Sequence, residues 1–566
     1  MALPARKTYL LITALTCLIH FGAGYTLIPG IAVGAGAAVP PRLEIRTCIQ
    51  DPICLNIYLL ALESIQTAST SSLLSHYRIS GIHGTNFAWD GDTGGNYPSG
   101  LGYCYHGHRL FTTWHRPYLS LYEKALYDAA TQIVQGFTDG DLKNRHIAAL
   151  NTWRLPYWDW AMDASLPTVL GATTASANVI VMKMQSGQLQ NVSIRNPLYS
   201  YRLQISNDPS VSIPQPPKQR RGTTVETVRS PVTRSGVYVN QPTATNNLMI
   251  QAGPSLRSSV VRTFSNIKDY NAFSSMADNG DSIEGVHGTV HVTVANFGHM
   301  RYVEHAAFDP IFYLHHANID RLFAMWQAIY PNSYITNSTS ASPNENTPLV
   351  PFRKTDTEYW TSKSSRDTKA FGYTYPELIG ATQQSVITAF NNLYGGSLPV
   401  GSGKRKRRAA DTDGDTDDIL TTYNDYVAHI KIANNAARTS FPVCLFLGEP
   451  ITDPNDYASD PNYVGCFKVF TRTDLPKSHK KIVRGTVAMN TALYNHYAAG
   501  KLQNMERNTL KNYLKDNLKW KITADQTEDL DLDGYEIIVE VAKVKIPNRK
   551  DMLPIWEEYS SICKIR

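Results

Sequence analysis

Two groups of histidines stand out for their spacing. The first is His83, in Gly81-Ile82-His83-Gly84, followed by Tyr103-Cys104-Tyr105-His106-Gly107-His108 and then Trp114-His115-Arg116-Pro117. The second is Glu284-Gly285-Val286-His287-Gly288-Thr289-Val290-His291, followed by Phe312-Tyr313-Leu314-His315-His316-Ala317-Asn318-Ile319-Asp320. Neutral imidazole binds copper, zinc, iron or nickel. A single helical histidine pair is as often structural, but two sets of three beside Trp- and Phe-rich segments point to a pair of metal ions. Structural zinc sites close four ligands and commonly use thiolates, which are scarce here. Diiron bundles need matched Glu-x-x-His pairs, and only Glu284 with His287 has that spacing. Two copper ions with three nitrogen ligands each would leave positions open for dioxygen.

The elements that carry these residues are constrained by geometry. At ~100° per residue, His106 and His115 would face opposite sides of one helix. His115 must therefore open a helix running through Glu123, with His106 and His83 supplied from preceding loops or helix ends, where Gly102 and Gly107 give the backbone freedom. His287 and His291 are i and i+4 and share a helical face. His316 and Asp320 have the same relation, so the carboxylate either supports the helix that presents the histidine or orients the ring from behind.

The run His106-x4-Phe111-Thr112-Thr113-Trp114-His115-Arg116-Pro117 resembles the first copper signature of the tyrosinase family. Asp309-Pro310-Ile311-Phe312-Tyr313-Leu314-His315-His316-x3-Asp320 resembles its second, and Pro156-Tyr157-Trp158-Asp159-Trp160 lies between them. The match runs roughly from Arg42 to Gly396, and a basic linker followed by a tail resembles the latent fungal members.

The resemblance implies two copper ions, the first on His83, His106 and His115 and the second on His287, His291 and His316. His108 and His315 fall outside the pattern. Cys104 holds the place of a cysteine that forms a thioether with the second ligand, here His106. Glu284 matches an acidic residue that holds a water near the second copper, a base for an incoming phenol. Gly288 replaces the Asn common in strong monophenol hydroxylases, Val292 implies an open entrance, and Val303 and Ala306 match residues lining the substrate site. Arg42, Tyr373 and Tyr375 match a structural closure of the core. The implied reaction oxidises o-diphenols to o-quinones with dioxygen, and ortho-hydroxylation of monophenols stays open. Catechol or o-aminophenol oxidation alone, and a hemocyanin-like oxygen carrier, are the alternatives.

The length of 566 residues suggests two domains. The expected fold is mainly α: residues 25–400 form a four-helix-bundle binuclear copper core, residues 401–418 an exposed linker, and residues 419–566 a smaller, mostly β domain. Segments Phe441–Leu447, Val464–Thr471 and Tyr535–Ile546 alternate as strands do. By resemblance this tail shields the copper site with an aromatic side chain, for which Tyr457 and Tyr463 are candidates.

Residues 1–24 have the basic, apolar and small-residue order of a secretory signal, which predicts export and no membrane partner after its removal. Lys404, Arg405, Lys406, Arg407 and Arg408 form a natural site for a processing protease in an exposed linker. A net charge of +6, with no other basic run, gives no nucleic-acid footprint. Seven cysteines include Cys17 in the leader; Cys48 with Cys54 and Cys444 with Cys466 are plausible local pairs. Asp529 to Gly534, with Glu540, has EF-hand spacing, but the strand-like sequence after it favours a hairpin turn. Asn191 and Asn337 are glycosylation acceptors in form only.

Overall fold

The computed structural model describes residues 25–85, 88–92, 102–171, 174–202, 225–235, 237–335, 343–397, 419–437, 439–473, 480–523, 530 and 532–565. The expected signal segment 1–24, the expected linker 401–418 with its five basic residues, Asn337, Asp529 and Asp531 lie outside them.

Five helices matter for the site: α1 (His76–Gly84), α2 (Phe111–Gln135), α3 (Pro242–Asn266), α4 (Ile283–Ala295) and α5 (Ile311–Ile329). Serines stop the unpaired N–H groups at two of their starts: Ser75 accepts from Arg78 N–H and Ser282 from Gly285 N–H. Helix α2 has no side-chain cap at its start; His108 Nδ1 accepts from Leu110 N–H at 3.1 Å in the turn just before it. Pro117 lies inside α2, where it forfeits one ladder bond, and the helix begins at Phe111, ahead of the expected start at His115. Helices α2, α4 and α5 are buried along most of their length, polar residues such as Arg116, Glu123 and Asp320 included.

A buried charge network ties these helices to the N-terminal segment. Asp320 on α5 accepts from Arg116 Nε on α2 at 2.6 Å and from the hydroxyls of Tyr373 and Tyr375 at 2.6 and 2.7 Å. Arg42 pairs with Glu123 at 3.0 Å and with Asp320 at 3.4 Å, and lies over the Tyr373 ring. Burial alone would raise the Asp320 carboxyl, but Arg116 and then Arg42 hold it below its usual range. Of the two roles open to Asp320, it supports the helix.

The tail is built from antiparallel strands β1 (Ile419–Ala433), β2 (Phe441–Leu447), β3 (Tyr463–Val469), β4 (Ile482–Ala488), β5 (Leu518–Ile522), β6 (Glu536–Pro547), β7 (Ile555–Trp556) and β8 (Ser560–Lys564). One sheet runs β4-β1-β6-β7 with β8 also on β6, and the other runs β5-β2-β3. Disulfides join Cys48 to Cys54, and Cys444 to Cys466 across the β2–β3 pair. Asp533-Gly534 forms a turn before β6, and Glu540 lies within that strand beside His429, so the helix an EF-hand needs after its loop is a strand; the turn is not the expected hairpin either, because the preceding strand β5 pairs in the other sheet.

Candidate metal centre

His83 stands in the last turn of α1 and His106 in the loop before α2, as expected, while His115 lies in the second turn of α2 and not at its start, because the helix already begins at Phe111. Their ligand nitrogens lie within 4.8 Å of one another. The loop can come this close because Gly84 and Gly102 carry no side chains. A Cβ at Gly84 would lie 2.6 Å from the Val303 carbonyl oxygen and one at Gly102 2.9 Å from Gly84 Cα, with Gly102 at φ +90°.

Hydrogen bonds fix which nitrogens face inward. His83 Nδ1 donates to the Val303 carbonyl at 2.8 Å, His115 Nδ1 to the Phe111 carbonyl at 2.7 Å, and His291 Nδ1 to the Met300 carbonyl at 2.9 Å. A neutral imidazole that donates from Nδ1 keeps its lone pair on Nε2. The Nε2 atoms of His83, His106 and His115 are buried without hydrogen-bond partners. In the second group His287 Nε2 and His291 Nε2 each lie 3.1 Å from His316 Nε2. Imidazoles bound to one first-row ion at ~2.0 Å leave their nitrogens about 3 Å apart. Burial above all, reinforced by neighbouring imidazoles, keeps His83, His106, His287, His291 and His316 well below the usual histidine range. They are thus neutral, as ligands must be.

The trios face each other. His115 stacks on His316 with ring centroids 4.5 Å apart, and His106 on His287 at 5.8 Å. His315 also comes within 4.8 Å of the second trio. Trp160 Nε1, however, donates to His315 Nδ1 at 3.0 Å, which places the imidazole proton on Nε2 and spoils that atom as a ligand. His108 Nδ1 accepts from Leu110 N–H just ahead of α2, and its ring stacks on Tyr105. Cys104, outside both disulfides, has its Sγ 3.4 Å from His106 Nδ1. Glu284 accepts from the N–H groups of Gly107 and, at 2.9 Å, Met276, so its carboxylate pins the loop that follows His106. Burial pushes that carboxyl up to about 8, and adjacent metal cations would pull it back down.

A side chain from the tail closes the site. Phe470, just beyond β3, stacks on His291 with centroids 4.1 Å apart and planes 17° from parallel. Its ring also meets His106 and His287 edge-on at 5.4 and 5.5 Å. Tyr457 and Tyr463 instead pack around Phe446 beside the Cys444–Cys466 disulfide, so the shielding aromatic is Phe470 rather than either tyrosine. The signal was present in the sequence: Cys466, Lys468 and Phe470 share one face by strand alternation, and that face is turned to the core.

Of the other residues expected at the substrate site, Gly288 lies directly beneath Phe470, where a Cβ would stand 3.1 Å from the Phe470 Cβ. Val292 faces the seam between core and tail. Val303 gives its carbonyl to His83, and Ala306 is buried in a short turn after it.

Residues 74–329 match the common central domain of tyrosinase, and residues 425–539 match the tyrosinase C-terminal domain, together more than half of the chain. The chain belongs to the tyrosinase family. Among its relatives, tyrosinase of Neurospora crassa is 29% identical, with 93% of this chain and 95% of that protein covered. Polyphenol oxidase 2 of Agaricus bisporus is 29% identical, with 91% and 94% covered. Recombinant mushroom tyrosinase shares the fold with a TM-score of 0.75 at 24% identity, over 95% of this chain and 98% of that one. A mutant Aspergillus oryzae pro-tyrosinase does so with a TM-score of 0.74 at 22% identity, over 96% and 98%. Two buried histidine groups that could hold the family's two copper ions thus lie in the helical part that matches its central domain, and the β-rich tail matches its C-terminal domain.

Proposed function

We propose that this chain oxidises o-diphenols to o-quinones with dioxygen at two copper ions and is made latent by its own tail. His83, His106 and His115 hold one ion and His287, His291 and His316 the other. When bound, the copper pair supplies the electron transfer between phenol and dioxygen, which is reduced to water. The observation that carries the reading is Phe470: a planar aromatic ring stacked on His291 occupies the space in which a planar phenol would lie.

The protein's own groups supply the rest. Phe111, Phe312 and Trp114 pack on the imidazoles and exclude water. A carboxylate accepts up to four hydrogen bonds and Glu284 uses two on backbone donors, so it retains capacity to take the proton of a phenol through a water. Cys104 braces His106 through a thioether, and a tryptic peptide lighter by two hydrogens would show it. Gly288 offers no side chain to orient that water, which favours diphenols over monophenols as substrates.

Latency ends when a protease cuts the basic linker at Lys404 to Arg408 and the tail, residues 419–566, leaves the core of residues 25–400. The leader of residues 1–24 sends the protein out of the cell, and no helix among the described residues is long and apolar enough to cross a membrane. Oxygen uptake by copper-loaded protein before and after cleavage, with a catechol and its matching monophenol, tests the whole reading. Quinone formed from catechol after cleavage is expected; reversible oxygen binding without quinone would make it a carrier instead.

A further inference from the structure

One short segment of the core, residues 300–304, orients a histidine in each trio. Its Met300 carbonyl accepts from His291 Nδ1 at 2.9 Å, and its Val303 carbonyl accepts from His83 Nδ1 at 2.8 Å. A partner behind a ligating imidazole fixes the ring orientation and raises the basicity of the nitrogen that faces the metal. Both acceptors are main-chain atoms, so whatever holds the segment in place sets the aim of one ligand for each copper ion.

The two charged side chains of the segment, Arg301 and Glu304, both bond to the tail. Arg301 donates from Nε and Nη2 to the Ser440 carbonyl at 3.0 and 2.7 Å, from Nη2 to the Thr523 carbonyl at 3.5 Å, and from Nη1 to the Asn296 carbonyl at the end of α4 at 2.8 Å. Glu304 Oε1 accepts from Thr473 N–H at 3.0 Å and from the Thr473 hydroxyl. Beside it, Arg472 Nη1 donates to the carbonyl of Gly84, the residue after His83, and a Cβ at Gly84 would lie 2.6 Å from Glu304 Cα. The tail anchors belong to one unit, because Thr471 N–H donates to Ser440 Oγ at 2.9 Å and Ser440 Oγ donates to the Thr471 carbonyl at 3.0 Å. That unit adjoins Phe470, which covers His291.

We propose that Arg301 and Glu304 are positioning residues for the copper pair, a latch through which the docked tail fixes His291 and His83. The proposal rests on the copper and latency readings above and gives the tail a second action besides the block by Phe470. Release of the tail takes Ser440, Thr473 and Phe470 away together. The site then opens and one ligand of each ion gains freedom in a single event.

The test is copper binding by the full, uncleaved chain, dialysed against copper-buffered solutions and counted as copper per chain. The wild type is expected to hold two ions. Thr473→Val removes one of the two donors to Glu304 from the tail side and leaves the core untouched; it is expected to weaken one ion, and Thr473→Ser to restore it. Loss of a partner directly behind a ligating histidine costs ~10–100-fold in metal affinity, and these residues act further back, so about threefold is expected for Thr473→Val and about tenfold for Glu304→Ala. Arg301→Lys keeps the charge but cannot span the Ser440 and Asn296 carbonyls, and is expected to weaken the other ion. Asp425→Asn loosens the tail at its contact with Arg262 instead and is expected to keep both affinities. Should Glu304→Ala or Arg301→Lys fail to fold, the Thr473 pair decides. Two ions bound with affinities unchanged in Thr473→Val, Glu304→Ala and Arg301→Lys, or an equal loss in Asp425→Asn, overturn the latch and leave the copper reading standing. A wild type that binds no copper overturns both.

Discussion

Phe470 lies parallel to His291 at 4.1 Å, so a residue of the tail makes the contact that a substrate ring would need. Replacing it with alanine empties that space while leaving β3 and the disulfide in place. A buried Phe→Ala costs about 3–5 kcal/mol in packing, and here much of that loss falls on the docked tail. The uncleaved Phe470→Ala chain is expected to oxidise catechol at a measurable rate where the uncleaved wild type does not. Equal rates for the two intact proteins would mean that the strand, not the ring, blocks entry.

Cutting the linker by itself removes none of the contacts that hold the tail. Arg262 on α3 is buried between Asp281 of the core at 3.0 Å and Asp425 of the tail at 3.2 Å. Arg301 donates twice to the Ser440 carbonyl, and Arg472 Nη1 reaches the Gly84 carbonyl at the end of α1 at 2.9 Å. Nicked protein is therefore expected to elute as a two-piece complex in size exclusion. Truncating one partner of a buried charged pair costs about 2–5 kcal/mol and acts mainly on dissociation. Asp425→Asn is accordingly expected to release the tail faster after cleavage; co-elution as stable as the wild type's would assign the hold to the apolar contacts.

The two histidine groups were legible because metal ligation constrains residue type and spacing together. His287 and His291 had to share a helical face, and His106 and His115 could not. The proton on His315 was not legible, since it depends on Trp160, which lies 155 residues away in the chain. Phe470 was missed for a similar reason. Alternation shows which residues of β3 and its extension share a face, but only tertiary packing shows that along this face Cys466 joins the disulfide cluster of Tyr457 and Tyr463 while Phe470 reaches His291 on α4.

Gly288 has a reason to be glycine beyond the absence of a water-holding side chain. A Cβ there would lie 3.1 Å from Phe470 Cβ and 3.4 Å from the Lys468 carbonyl oxygen. Overpacking of this kind costs typically about 1–3 kcal/mol. Gly288→Asn is expected to do two separable things: loosen the docked tail, read as higher catechol activity of the intact chain, and raise the monophenol-to-diphenol rate ratio of the cleaved enzyme. A ratio unchanged after cleavage would remove Gly288 from the account of substrate scope and leave only its steric role.

Docking of the tail should also depend on pH through Lys468. In the docked protein burial, followed by the Arg301 charge, brings the amine down to about 7, whereas a released tail returns it to the ordinary lysine value near 10.5. Between those limits the released form binds more protons, so the docked form gains stability as pH rises from 7 toward 10, while below 7 the amine is charged in both forms and its opposition to docking is at its full, pH-independent value. The slope is up to about 1.4 kcal/mol per pH unit. The groups facing Lys468 do not reverse this: Arg301 stays charged, and burial raises the hydroxyls of Tyr457 and Tyr463, the latter to about 12, so both stay neutral. Tail release from nicked protein is expected to slow steadily from pH 7 to 10, and Lys468→Met to flatten the profile. An identical slope in that variant would place the titrating group elsewhere in the seam.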